Sequence, residues 1–146
     1  MATLLALPAL LSSPLQADSV PERMEVFVAP EQARQVSGQG AIEAQYPGLR
    51  IQMFDLGAAE RFEDRLSEGL SADPDTARAQ VQQRLQAMGP EIEARMRQAF
   101  GGLVRADQLG IDRLPAIVFE DGQAVVYGVT VLPTAVSHYR RWRDGR

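Results

Sequence analysis

Short apolar blocks separated by polar turns predict the elements of this chain, and the clearest signal is a hairpin in its last third. Two β-rich runs, Ala116–Phe119 and Ala124–Tyr127, flank the sequence Glu120-Asp121-Gly122-Gln123. Asp-Gly between two such runs predicts a tight β-hairpin, because glycine adopts the positive φ that the turn requires. The first run is apolar throughout, which predicts a strand covered on both faces. Pro115 lies at its start, where a missing N–H costs least.

Other patterns predict two more strands and a series of helices. The run 24–29, ended by Pro30, and the alternating run 50–56 predict strands. Asp73 and Pro74 predict a helix start, because aspartate caps free N–H groups and proline suits the first helical position. The predicted helices are a short one at 31–36, followed by a loop through Gly38 and Gly40; 58–70, with Phe62, Leu66 and Leu70; the helix after Asp73, with Ala77, Val81, Leu85 and Met88, broken at Gly89-Pro90; a stripe of Ile92, Met96, Ala99 and Phe100 that stops at Gly101-Gly102; 103–109, ended by Gly110; and a last helix opened by Pro133, with Ala135, Val136, Tyr139 and Trp142.

The predicted order is β-α-β, a long helical segment, a β-β hairpin and a final α-helix, which gives an α/β fold. An antiparallel hairpin after a β-α-β unit, closed by a helix, is the thioredoxin-like plan. In that plan the proline before the third strand is commonly cis, a state that costs little only at proline. We therefore expect a cis peptide bond between Leu114 and Pro115.

Composition excludes several classes of chemistry. The 146 residues carry a net charge of −4, which argues against direct nucleic-acid binding. The C-terminal arginines Arg140, Arg141, Arg143 and Arg146 are typical of a solvated helix end. The absence of cysteine excludes disulfides, a CxxC redox motif, thiol catalysis and thiolate metal sites. His138 is the single histidine, so no second imidazole is present for a metal site. We therefore predict no catalytic, cofactor-binding or metal-binding residues.

The first residues have the character of an export signal. The apolar run 2–15 is too short to span a membrane but has the length of a signal-peptide core. We expect residues 1–17 to be a signal peptide, with Ala17 as its last residue, and 18–146 to form one periplasmic domain without a stable membrane span. The alternative is an apolar N-terminal helix that packs on the domain.

The whole mature chain resembles a known family, and three segments carry the sharpest part of the resemblance. They are 106–111 (Ala-Asp-Gln-Leu-Gly-Ile), 114–119 (Leu-Pro-Ala-Ile-Val-Phe) and 125–130 (Val-Val-Tyr-Gly-Val-Thr). Together they resemble the thioredoxin-like proteins of integrating conjugative elements, and they are similar to F-type pilus-assembly proteins. The resemblance implies an exported accessory of a type IV secretion or mating-pair apparatus, and it supplies no catalytic residues. Val131 departs from the acidic residue expected there, which removes a cap from the last helix, although Thr130 could replace it.

The thioredoxin-like plan suggests a peptide-binding face in front of the expected cis proline. In that position, backbone groups can pair with an extended partner. The predicted face consists of Pro30, Glu31, Arg113, Leu114 and Pro115. The alternative is that Pro115 only shapes the turn.

Two side-chain groups have a functional and a structural interpretation. Tyr139 and Trp142 share a helix face and could form an aromatic contact with a partner together with Tyr127, or they could cover the core. The carboxylates of the 58–70 helix could do acid–base work, but their alternation with arginines favours a solvated, ion-paired face. These residues are Glu60, Arg61, Glu63, Asp64, Arg65 and Glu68. We expect His138 to be exposed or partly packed.

The sequence therefore predicts a protein that is not an enzyme and that binds envelope proteins. The expected role is a non-catalytic periplasmic accessory that aids pilus or mating-pore assembly in a conjugative DNA-transfer apparatus. The alternatives are a thiol-independent periplasmic chaperone or isomerase-like protein and a small binding module unrelated to transfer.

Overall fold

A computed structural model describes residues 20–146 of the chain. The expected signal peptide, 1–17, lies outside the described residues. The strands are β1 (Arg23–Val28), β2 (Arg50–Asp55), β3 (Ala116–Phe119) and β4 (Ala124–Tyr127). The helices are α1 (Pro30–Ala33), α2 (Gln39–Gln45), α3 (Ala58–Ser67), α4 (Pro74–Ala87), α5 (Ile92–Gln108) and α6 (Leu132–Asp144), with short 3-10 turns at Gly89–Glu91 and Glu120–Gly122.

The four strands form one mixed sheet in the order β2-β1-β3-β4. β1 pairs in parallel with β2 and antiparallel with β3, so Phe27 lies opposite both Phe54 and Ala116. β3 and β4 form the predicted hairpin. All four residues of β3 are buried, which confirms a central strand covered on both faces. The α/β class is confirmed.

Alternation along β1 sends its side chains into two cores on opposite faces of the sheet. Met24, Val26 and Val28 pack on one face with the buried residues of α2 and α6. Phe27 points to the other face, where its ring stacks on Phe54 at 4.9 Å between centroids and packs near α5. The sheet is therefore the middle layer between two helical layers.

The hairpin turn differs from the tight Asp-Gly turn that the sequence predicts. Gly122 has the predicted positive φ, of 101°, but Glu120 and Asp121 also have positive values of 50° and 56°. These values are unfavourable for residues with side chains. The Glu120 carboxylate accepts a hydrogen bond from the backbone N–H of Glu22 at 2.6 Å, and this contact holds the turn against the start of β1.

The loop predicted through Gly38 and Gly40 is wrong, because α2 begins at Gln39. Gly38 precedes this helix with a φ of 83°, and a Cβ at this position would lie 2.8 Å from the Pro133 Cγ atom. Ile42 is buried and anchors α2 to the core. Tertiary packing thus overrides the low helix propensity of Gly40.

The predicted stop at Gly101-Gly102 is also wrong, because α5 continues through both glycines to Gln108. Gly102 is buried, and a Cβ on it would lie 3.2 Å from the Phe54 Cβ atom. Glycine is therefore needed here for close approach of α5 to β2. Met96 was expected in the buried stripe, but it is 44% exposed.

The start of α4 and the break after it are confirmed. The Thr76 hydroxyl and backbone N–H donate to the Asp73 carboxylate at 2.6 and 2.9 Å, and both bonds lower the pKa of Asp73. Gly89, with a φ of 63°, separates α4 from α5. The start of α6 follows Val131 without a side-chain cap, so Thr130 does not replace the missing acidic residue.

The two adjacent glycines of α5 allow a matched test of this packing. Gly101→Ala should raise the free energy of unfolding by roughly 0.5–1 kcal/mol, because a Cβ there meets nothing within 4 Å. Gly102→Ala gains the same helix propensity but forces Phe54 and Leu56 to move, at a cost of about 1–3 kcal/mol. Urea unfolding of both variants measures the difference. Equal stability of the two variants would contradict the close contact between α5 and β2.

Candidate functional site

Four strand ends meet at one edge of the sheet, and the predicted binding face lies there. The parallel strands β1 and β2 end at this edge, where the Leu56 N–H donates to the Val28 carbonyl at 2.9 Å. β3 begins and β4 ends at the same edge, where the Gly128 N–H donates to the Pro115 carbonyl at 2.9 Å. We call the residues carried there the proline edge: Pro30 and Glu31 after β1, Gly57 after β2, and 112–115 before β3.

Pro30 and Gly57 form one half of the proline edge. Pro30 opens α1, where its missing N–H leaves no helical hydrogen bond unmade. A Cβ at Gly57 would lie 3.0 Å from the Pro30 Cδ atom, so the loop after β2 packs directly against the proline ring. Pro30 and Glu31 are both exposed. This packing fixes the two exposed residues relative to the sheet.

Residues 112–115, in front of β3, form the other half of the proline edge. The Leu114–Pro115 peptide bond is cis, as the sequence predicts. Residues 112–114 make no backbone hydrogen bond to another residue within 20–146. Asp112 and Arg113 are exposed, so their backbone groups are accessible for pairing with an extended segment of another protein.

Arg113 projects from this segment into solvent. Its guanidinium carbon lies 4.7 Å from the centroid of the Tyr127 ring, at cation–π distance, and its side chain is 72% exposed. Leu114 is half-buried and packs against the core that contains Phe27. The face thus has an apolar anchor beside an exposed cation.

The five predicted residues share one edge but form two neighbouring patches. Pro30 contacts Gly57, whereas Arg113 contacts Tyr127. Their side chains offer one cation, one carboxylate and apolar surface, together with free backbone groups. Within residues 20–146, no group of three or more histidine, aspartate or glutamate side chains could hold a metal ion. The cation, the carboxylate, the apolar surface and the free backbone groups are suited to contacts with a protein segment.

A buried carboxylate beneath the hairpin was missed by sequence reasoning. Glu25 lies in β1 and is 1% exposed, and Arg105 of α5 donates to its two oxygens at 2.8 Å each. The same guanidinium donates to Asp121 in the hairpin turn at 2.7 Å, and Arg23 pairs with Asp121 at 2.8 Å. We call these four residues the Glu25 network. It ties β1, α5 and the hairpin turn together.

The sequence indicates that Glu25 needs a buried partner, but it does not indicate which residue that partner is. Glu25 interrupts an otherwise apolar strand, and a charged residue is almost never fully buried without a partner. Arg105 lies 80 residues away, so no local pattern identifies it. Its hydrogen bonds to Glu25 are the main cause that raises the pKa of Arg105, so this guanidinium stays charged.

The aromatic contact predicted for Tyr139 and Trp142 is corrected. Tyr139 is 1% exposed, and its ring stacks on Phe119 at 4.6 Å between centroids. It therefore belongs to the core, which was the alternative interpretation. Trp142 is half-buried beside it and carries the Arg146 guanidinium 4.5 Å above its ring.

The charged face predicted on α3 is exposed but is not ion-paired within the helix. Arg61 pairs instead with Asp55 of β2 at 2.8 Å. The guanidinium carbon of Arg65 lies 6.0 Å from the centroid of the Phe62 ring. At the other end of the chain, His138 is exposed and its Nδ1 atom lies 3.0 Å from the Arg141 guanidinium.

The Glu25 network makes a testable contribution to stability. Arg105→Met should lower the free energy of unfolding by about 3 kcal/mol, because it removes both hydrogen bonds from a buried carboxylate and leaves Glu25 only the longer 3.9 Å contact with Arg23. Breaking a buried ion pair costs about 3–5 kcal/mol. The lower value is expected here because the Arg105 side chain is 25% exposed and water partly screens its charge.

The double variant Glu25→Leu/Arg105→Met should recover most of this loss, since it removes both charges together. Arg97→Met, which removes an exposed arginine from the same helix, is the control and should change stability by less than about 0.5 kcal/mol. Chemical unfolding of the three variants measures these changes. A double variant no more stable than Arg105→Met would contradict the proposed pairing.

Comparison with known proteins gives a family but no activity. A family model described as "Protein of unknown function (DUF1525)" matches residues 43–145, which extend from within α2 to the residue after α6. No curated protein and no solved structure matches the chain significantly. Within residues 20–146, no helix combines the length and apolar character needed to cross a membrane. The match covers well over half of the sequence, so the chain belongs to the DUF1525 family of proteins of unknown function.

Proposed function

We propose that this protein is a non-catalytic periplasmic accessory of the conjugative DNA-transfer apparatus of an integrating conjugative element. It binds other envelope proteins of that type IV secretion-like machine and aids assembly of the pilus or mating pore. The observation that carries the proposal is the free backbone of residues 112–114, held in front of Pro115 at an exposed edge. Such groups accept an extended segment by strand addition.

We further propose that the fold is thioredoxin-like. In support, β1 and β2 are parallel neighbours, β3 and β4 form an antiparallel hairpin, and a cis proline precedes β3. The chain has no cysteine, so the face that would perform thiol exchange is free to serve in binding.

The segments that most resemble conjugative-element proteins lie around residues 112–115 of the proline edge. Residues 106–111 end α5 and enter the loop, 114–119 contain Pro115 and β3, and 125–130 contain most of β4 and the turn after it. The sharpest part of the resemblance, 106–130, therefore includes the part of the proposed binding surface in front of β3. Export rests on the apolar run 2–15, which leads to the proposed periplasmic location.

The chaperone alternative is favoured by one observation. Met96, Leu103 and Val104 are 44%, 42% and 56% exposed on α5. Exposed apolar side chains on one helix can bind unfolded clients. An assembly factor keeps a stable stoichiometric partner, whereas a chaperone suppresses aggregation of several unrelated proteins.

Mating frequency tests the proposal in a donor with a clean in-frame deletion of the gene. Deletion should lower transfer, and the intact gene should restore it. A gene that encodes the Arg113→Glu variant should restore transfer poorly, to roughly a tenth of the wild-type frequency or less. The reason is that the substitution reverses the charge of an exposed contact residue.

Arg78→Glu on α4 is the matched control, because the side chains of Arg78 and Arg113 are both 72% exposed. It should restore transfer fully. Equal restoration by both variants would overturn the assignment of the proline edge. Unchanged transfer after deletion, with suppressed aggregation of unrelated clients, would favour the chaperone alternative.

A further inference from the structure

A second surface lies between α3 and α5, where a cleft of about 730 Å³ opens to solvent. Its floor is apolar, since Phe62 and Ala99 are 3% and 7% exposed. Its walls carry the side chains of Arg61, Arg65 and Arg95, and one carboxylate, Glu91. This cleft is therefore rich in positive charge on a protein whose net charge is −4.

The charges of α3 are sorted between two sides of the helix. Arg61, Phe62 and Arg65 all line the cleft, and at about 3.6 residues per turn Arg65 lies close to Phe62 on the helix. The three carboxylates of α3, Glu60, Glu63 and Asp64, do not line the cleft. The carboxylates of α3 therefore do not neutralise the arginines that face the cleft.

The three arginines are unequally paired. Arg61 binds Asp55 at 2.8 Å, and Arg95 binds Glu91 at 3.3 Å. In the described part of the chain, Arg65 has no carboxylate within 4.0 Å. The Arg95–Glu91 pair is well exposed, so its contribution is small and an incoming anion can compete for Arg95.

We propose that this cleft binds a short acidic segment of a partner protein. A guanidinium forms paired hydrogen bonds with a carboxylate, so Arg65 is the primary contact and Arg95 the second. The apolar floor of Phe62 and Ala99 fits the aliphatic part of such a segment, which a free inorganic anion lacks. The occupant is thus a peptide that carries carboxylates.

The cleft begins beside the proline edge but does not depend on it. A Cβ at Gly57 would lie 2.9 Å from the Arg61 Nη1 atom and 3.0 Å from the Pro30 Cδ atom, so Gly57 of the proline edge lies next to Arg61 of the cleft. Arg113 is not among the residues that line the cleft. A variant at Arg113 therefore tests the proline edge without altering this site.

Fluorescence anisotropy with a labelled oligoglutamate peptide tests the proposal on the full chain. The wild type should bind this peptide at low salt and more weakly at high salt, and it should not bind an oligoglutamine peptide. Arg65→Glu should weaken binding roughly tenfold or more, and Arg65→Gln should weaken it less. Circular dichroism checks that both variants are folded.

Two controls separate this site from net charge and from the proline edge. Arg78→Glu makes the same change in net charge on α4 and should leave the affinity within about twofold. Arg113→Glu should also leave it unchanged. Absence of peptide binding, or equal weakening by Arg65→Glu and Arg78→Glu, would overturn the proposal. Displacement of the peptide by inorganic phosphate at equal concentration, or Arg65-dependent binding to vesicles of anionic lipid without peptide binding, would also overturn it.

Discussion

A carboxylate buried in the middle of the sheet constrains how the rest of this chain packs. Glu25 lies in β1, a central strand, and its charge is costly to bury unless both oxygens are bound. Arg105 satisfies both oxygens and also reaches Asp121 in the hairpin turn. One guanidinium therefore fixes the position of α5 and of the turn relative to β1.

This constraint bears directly on the proline edge. α5 ends three residues after Arg105, and the chain turns at Gly110 and passes through 112–114 to Pro115. Gly102 lets the same helix approach β2 closely. The loop that carries the free backbone groups thus starts from a helix held at two points. A segment fixed in this way loses less conformational entropy when it binds a partner.

Local signals made part of this architecture predictable. The hairpin and the α4 cap depend on neighbouring residues, such as Asp121-Gly122 and Asp73-Pro74, so the sequence identifies them. Gly40 and Gly102 are helix-breaking signals in the sequence, yet α2 contains Gly40 and α5 contains Gly102. Gly102 is required by a contact with Phe54, which is distant in sequence. The strand topology brings four strand ends together at the proline edge. Pro115, which precedes β3, indicates this position in the sequence.

Long-range pairing and side-chain direction explain the remaining errors. The Glu25–Arg105 pair joins residues 80 positions apart, beyond any periodicity. Tyr139 and Trp142 share a helix face, but spacing alone does not say whether that face meets solvent or Phe119. Arg61 lies near carboxylates of α3 but pairs with Asp55 of β2. The side of α3 that faces α5 therefore carries Arg61 and Arg65 without a carboxylate of the same helix.

Site-specific photo-crosslinking in donor cells tests the central claim, that the proline edge binds an envelope protein. A photoreactive amino acid would replace Arg113 in one strain and the equally exposed Arg78 in another. The account predicts one discrete crosslinked species, of stoichiometric size, from position 113 and none of that size from position 78. No crosslinked species from position 113, or the same species from both positions, would contradict it.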